Sequence, residues 1–238
     1  MTTHNIALMG SPGPVGHNIA LMGVVGSTAC GLATPESDED RLGVFVRPTY
    51  EMLGLTQRRD SYVTKDPEDQ TIHELGKFVR LCLACNPTVM ELLWLPRWET
   101  ISIVGEELIE MREHFLSARA MKTYGGYAQS QFLRLQTRND GSFGSDTRKR
   151  YSKHARHLWR LLHQGKELQE TGSLRVHMTQ IEVEACRAFE ELPPRDLILQ
   201  GERLLADYLQ TSCILPPEPN FDAVEQWLVG IRYRDLLD

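Results

Sequence analysis

The chain has 238 residues, 41% of them hydrophobic, which is enough apolar material for one large domain or two modest ones and too much for a disordered chain. Its 32 acidic and 26 basic side chains leave a net charge of −6, which excludes broad electrostatic capture of nucleic acid and confines any polyanion to a local patch. No apolar run of about 18 residues occurs and the start Met-Thr-Thr-His carries no basic, apolar leader, so a cytoplasmic protein that does not enter membranes is expected.

The five cysteines, Cys30, Cys82, Cys85, Cys186 and Cys213, are odd in number and scattered, which fits reduced thiols better than a disulfide framework. In chain order, the first feature is a repeat: the heptapeptide from His4 to Gly10 recurs from His17 to Gly23. The second copy continues through Val24 and Val25 into Gly26-Ser27, so an apolar strand is expected from Ile19 to Val25, ending in a Gly-Ser turn. The first copy is followed by Pro12 and Pro14, which suit an extension or an extra edge strand. Arg41 to Val46 reads as a second strand, stopped by Pro48. Ile72, Leu75, Val79 and Cys82 recur at helical spacing and predict a helix from Ile72 to Cys85. The run Thr88 to Leu95, bounded by Pro87 and Pro96, reads as a buried strand. Helical segments are then expected at 105–118, 119–136, 148–169, 182–191, 196–211 and 221–230, with a flexible loop from Asn139 to Asp146.

The chemistry concentrates early. Asp38 and Asp40, with Glu39 between them, project to one side if the backbone is extended. Like charges held this close repel unless protons or cations compensate, and hard carboxylate oxygens suit Mg²⁺ together with phosphate and water. Gly26-Ser27 precedes this pair at a strand end, where glycine lets a phosphate approach the backbone and Ser27 adds a hydroxyl donor.

The motif Gly26-Ser27-x-Ala29-x-Gly31-Leu32-Ala33-Thr34-Pro35-x-Ser37-Asp38-x-Asp40-x-x-Gly43-Val44-Phe45 resembles the signature of the DNA polymerase beta-like nucleotidyltransferase superfamily. The likeness is closest to its predicted nucleotidyltransferases of bacteria and phages. It extends over Glu74-Leu75-x-Lys77-Phe78, Asn86-Pro87-x-Val89-x-Glu91-Leu92, Tyr127-Ala128 and the segment from Lys153 to Leu162. The resemblance implies an α/β (α+β) fold, with a small mixed-sheet nucleotidyltransferase domain at about 1–103 followed by a helical domain at 104–238. It implies transfer of a nucleoside monophosphate from an NTP, ATP among them, to a hydroxyl acceptor with release of pyrophosphate. Gly26 and Ser27 would hold the triphosphate, and Asp38 and Asp40 would hold two Mg²⁺, with Mn²⁺ as the substitute. A third carboxylate on a later strand belongs to this pattern. Glu91 fits it because a charge in an apolar strand needs a partner, and Glu74, nearer a helix start, is its rival.

Lys153, His157 and Arg160 share one helix face, and the resemblance makes Lys153 and Arg160 phosphate ligands, although an exposed basic face would show the same spacing. Cys82 and Cys85 read as core, and Tyr124 and Tyr127 as helix packing or base stacking. The acceptor is open between protein, RNA and small molecule. A non-catalytic nucleotide-binding or regulatory protein of the same fold is the alternative function, against which the intact carboxylate pair speaks.

Overall fold

A computed structural model describes residues 18–35, 37–65, 69–137 and 145–237. The first heptapeptide copy and most of the loop from 139 to 146 lie outside the described residues. The architecture is α+β, a five-stranded mixed sheet with helices.

Strand β1 (Asn18–Val25) alternates buried and half-buried residues and runs antiparallel to β2 (Asp40–Val46). Between them, Gly26–Cys30 forms the short helix α1, closed by Gly31 in the left-handed region. Beyond β2 come β3 (Ser61–Thr64) and β4 (Asp69–Glu74), and the sheet order is β3-β4-β2-β1-β5, where β5 is Thr100–Ile101. Among these pairings only β2 with β4 is parallel. The end of β1 and the starts of β2 and β4 therefore share one end of the sheet.

Two expected elements differ. The helix from Ile72 is instead the last part of β4 followed by α2 (Leu75–Leu83), with Glu74 as N-cap accepting from the Gly76 N–H. Ile72 and Leu75 fall at helical spacing only because strand and helix join without a turn and bury both. The expected strand from Thr88 to Leu95 is instead helix α3 (Pro87–Met90) running into a 3₁₀ turn, Glu91–Trp94. Asn86 caps it, its Oδ1 accepting from Thr88 and Val89, and Pro87 stands at a helical first position where its missing N–H costs nothing.

The remaining elements are helical: α4 (Ile103–Glu110), α5 (Arg119–Thr137), α6 (Ser145–Thr171), α7 (Gln180–Glu190), α8 (Pro194–Gln210) and α9 (Phe221–Leu237). Four of the six expected segments match within three residues; α9 runs on to Leu237 instead of ending at 230, and the segment expected at 105–118 is α4 followed by a 3₁₀ turn, Met111–Phe115. One apolar core runs through both halves, from Leu21 and Val44 in the sheet to Leu108, Tyr124, Leu158 and Leu161 in the helices. Helix α6 passes α5 and α8 at Gly165, where an added Cβ would stand 2.9 Å from both the Tyr124 and the Tyr208 rings. Cys82 and Cys85 are buried in the core, as expected. No helix among the described residues is long and apolar enough to cross a membrane.

Candidate active site

The strand directions decide what meets at the first end of the sheet. Val25 pairs with Asp40 across the β1–β2 ladder, so the chain leaves β1 into Gly26 beside that aspartate. Gly26 has φ +70, and a Cβ there would stand 2.7 Å from Asp40 Oδ2. Only glycine can both adopt this conformation without strain and leave room for the carboxylate.

Asp38 precedes β2 and Asp40 is its first residue. Asp40 also pairs in parallel register with Asp69, the first residue of β4, so a third carboxylate stands on the neighbouring strand. Burial pushes the Asp40 carboxyl above its ordinary proton affinity; the Lys153 ammonium opposes the rise, and the charges of Asp69 and Asp38 add to it. Among the described residues no three acidic, histidine or cysteine side chains are gathered tightly enough to grip a metal ion unaided.

Glu91 is almost fully buried, at 1% exposure, because the 3₁₀ turn points it inward. Its Oε2 accepts from the Gly26 N–H at 3.1 Å, and its Oε1 pairs with Arg160 of α6. The compensating charge that its burial requires is thus a guanidinium. His157 approaches the same guanidinium, its Nδ1 3.3 Å from Arg160 Nη2. Burial first, then the cations Arg160, His154, Lys153 and Arg134, pull His157 down to about 3, so it is a neutral acceptor here.

A second support reaches α1 from behind. The segment between α6 and α7 donates the Met178 N–H to the Cys30 carbonyl at 3.2 Å, while His177 Nδ1 lies 3.2 Å from the Ala29 carbonyl. Arg175 ties that segment down through Glu167 and Glu182, at 2.9 and 2.6 Å. The segment Gly26–Cys30 is therefore held from two sides, at Gly26 by Glu91, itself paired with Arg160, and at Ala29 and Cys30 by the segment after α6.

The family model described as the RNA repair pathway DNA polymerase beta family matches residues 7–192. The chain belongs to that family. This membership places it in the DNA polymerase beta-like nucleotidyltransferase superfamily, a transferase family. A crystal structure of a nucleotidyltransferase-like protein from Exiguobacterium sibiricum 255-15 is similar to it, at 13% identity over 81% of this chain and 69% of that chain. The TM-score is 0.33, too low to carry an argument. No curated protein matches.

For this member of the RNA repair pathway DNA polymerase beta family, the structure brings Gly26, Ser27, Asp38 and Asp40 together and adds Asp69, which sequence reasoning missed. Lys153 stands near enough to Asp40 to act on its charge. Glu91 lies on a helical turn instead of a strand, and both of its oxygens are engaged by protein donors, an occupation other than the metal ligation expected of it. Arg160 is buried against it. Glu74 is at the far end of β4, where it pairs with Arg232 and caps α2. Tyr124 is core, while Tyr127 accepts from Asn86 Nδ2 at 2.9 Å. His154 and His163 are half-buried, the first bonded to Gln131 and the second stacked on Trp159.

Proposed function

We propose that the chain transfers a nucleoside monophosphate from an NTP to a hydroxyl acceptor, with Asp38, Asp40 and Asp69 as the carboxylates that hold divalent metal. The observation that carries this reading is the register of Asp40 against Asp69 beside the Gly26 turn. Burial, with the charges of Asp69 and Asp38, raises the proton affinity of Asp40, so this end of the sheet is short of positive charge, which fits Mg²⁺ as the missing partner, and Mn²⁺ as its substitute. When bound, two such ions at about 3.5–4 Å would stabilise the attacking and leaving oxygens of an in-line displacement.

The residues of the chain have separate tasks in this reading. Ser27 and the bare Gly26 backbone take the triphosphate, and the exposed Lys153 ammonium neutralises it from the α6 side. Glu91 and Arg160 act as a brace: they fix the Gly26 N–H, and so the distance between the turn and Asp40. Arg160 then reaches the phosphates through this turn and not by direct contact. The sheet half, at about 1–103, would carry the chemistry and the helical half, 104–238, would close the cleft.

For the acceptor, the family's description as part of an RNA repair pathway favours RNA over protein or small molecule. The net charge of −6 then requires a local basic surface, and Arg148, Lys149, Arg150 and Lys153 supply one on exposed positions of α6. The test incubates the purified chain with Mg²⁺, each α-labelled NTP and a short RNA carrying either a free or a blocked terminal hydroxyl. Label should move to the free end only, and Asp38→Asn with Asp40→Asn should reduce transfer by at least about 10³-fold, several kcal/mol at 1.36 per decade. Undiminished transfer by that folded double variant would overturn the assignment. Nucleotide binding by wild type without transfer to any acceptor would favour the non-catalytic alternative.

A further inference from the structure

The opposite end of the sheet holds a cavity of about 560 Å³, in the size range of small-ligand sites, enclosed by the segment after β2, the first turns of α2 and the second half of α9. Asp40 to Arg47, at about 3.3 Å per residue, spans roughly 20 Å, so a ligand here cannot touch the carboxylates. Four arginines line it: Arg47, Arg58, Arg80 and Arg232.

Two of these are spent on structure. Arg47 pairs with Glu51 and donates to the Arg59 carbonyl, while Arg232 pairs with Glu74 and donates to the Arg47 carbonyl at 3.2 Å. The other two are less engaged. Arg58 is half-exposed and shares Glu51 with Arg47, at 3.9 Å, and Arg80 makes no side-chain hydrogen bond or ion pair among the described residues. Around the point where a side chain on Gly76 would begin stand Glu74 Oε2 at 3.1 Å and Arg80 Nη1 and Arg232 Nη2 at 3.6 Å each, so Arg80 flanks the Glu74–Arg232 pair at the cavity wall. The acidic groups of the lining are already matched: Glu74 by Arg232 and the Gly76 N–H, Glu51 by Arg47, and Asp60 by Lys77. The unspent capacity of the cavity is therefore positive, and forked donors favour a phosphate. Its wall is apolar, with Met52 and Val229 exposed, and Tyr233 presents an aromatic face at 65% exposure. A ligand matching both features has a phosphate and a flat, partly apolar ring.

We propose that this cavity is a second binding site that takes a nucleoside monophosphate, free or as the phosphorylated end of an RNA strand, with Arg58 and Arg80 on the phosphate and Tyr233 against the base. It does not rest on the transfer reading of the first site. Calorimetric titration of the full chain with AMP in EDTA tests it, since without divalent ions the carboxylate end repels phosphate. Wild type should bind one AMP, and Arg58→Ala with Arg80→Ala, both at exposed positions, should weaken binding at least tenfold while the melting temperature holds. Tyr233→Ala should weaken AMP more than inorganic phosphate, and Ser27→Ala, which alters the other end of the sheet, should leave this metal-free AMP titration as it is in wild type. A 5′-phosphorylated pentaribonucleotide that displaces AMP assigns the site to RNA ends, and one that does not assigns it to free nucleotide; both results support it. The proposal is overturned if wild type shows no saturable AMP binding, if the double arginine variant binds normally, if inorganic phosphate competes as well as AMP, or if Ser27→Ala abolishes the titration.

Discussion

The two ends of the sheet are built alike and differ in what they leave uncompensated. At each end a buried glutamate gives one oxygen to a glycine N–H and the other to an arginine from the helical half: Glu91 to Gly26 and Arg160, Glu74 to Gly76 and Arg232. Both pairs rivet helices to the sheet. At the Gly26 end the charge left over is negative, from Asp38, Asp40 and Asp69, whereas at the Gly76 end it is positive, from Arg58 and Arg80. A buried ion pair can therefore mark a junction between elements, and the charge in excess at each end comes from the residues beside it.

The sharpest test of this difference uses one strand. Asp69→Asn and Glu74→Gln lie at opposite ends of β4. Asp69→Asn should reduce nucleotidyl transfer at least about 100-fold, the scale of losing a positioned charged group, with unchanged melting. Glu74→Gln should instead leave turnover per folded molecule nearly intact. It should cost about 3–5 kcal/mol by stranding Arg232, a drop of roughly 6–20 °C in Tm for a chain of this size. Equal transfer by both variants, measured with labelled NTP at fixed Mg²⁺, would break the contrast.

Glu91→Gln should do both kinds of damage, because Glu91 sits in a junction that also holds the Gly26 turn, the turn proposed to take the triphosphate. We expect a Tm loss similar to that of Glu74→Gln, together with a rise in KM for NTP of about tenfold, the price of losing one charged hydrogen bond. Adding Arg160→Met should restore much of the Tm but not the KM. Restoration of both would reduce the pair to a purely structural role.

A smaller effect concerns pH. Because the folded-state affinity of Asp40 for a proton is raised, its ionisation opposes folding, and this cost appears as pH rises through the window from its unfolded to its folded pKa. Asp40→Asn should therefore raise Tm at pH 8 in EDTA and raise it less at pH 4, while abolishing transfer. A lower Tm at pH 8 would contradict the shortage of positive charge. Smallest of all should be deletion of residues 1–14, expected to leave NTP affinity and Tm within error, since Gly10-Ser11 has no carboxylate pair following at the required spacing. Loss of NTP binding by a folded truncation would move the phosphate turn to the first copy.

The parts of this arrangement that were legible in the sequence are local. Ile19 to Val25 declares a strand by its apolar run and Gly26-Ser27 a turn, and the later helices announce themselves by period. The placement of Asp69 beside Asp40 was illegible because it comes from parallel pairing between strands that β3 separates in the sequence. The boundary at Glu74 was hidden because strand and helix bury apolar residues in phase across it. The misreading of Thr88 to Leu95 was avoidable: Asn86-Pro87 is a helix-start signal, and the apolar run behind it is a turn buried on all sides.

Gly165 gives the molecule a weak point for the protein engineer. A helix-propensity scale would replace this mid-helix glycine by alanine for a gain of about 0.8–1 kcal/mol. The new methyl group would meet the Tyr124 and Tyr208 rings at 2.9 Å, and helix α6 would have to back away from both. Arg160, little more than a turn upstream on the same rigid rod, would be drawn off Glu91, and Glu91 off the Gly26 N–H. A substitution that improves the helix in isolation would thus loosen the grip on the phosphate turn at the far side of the core.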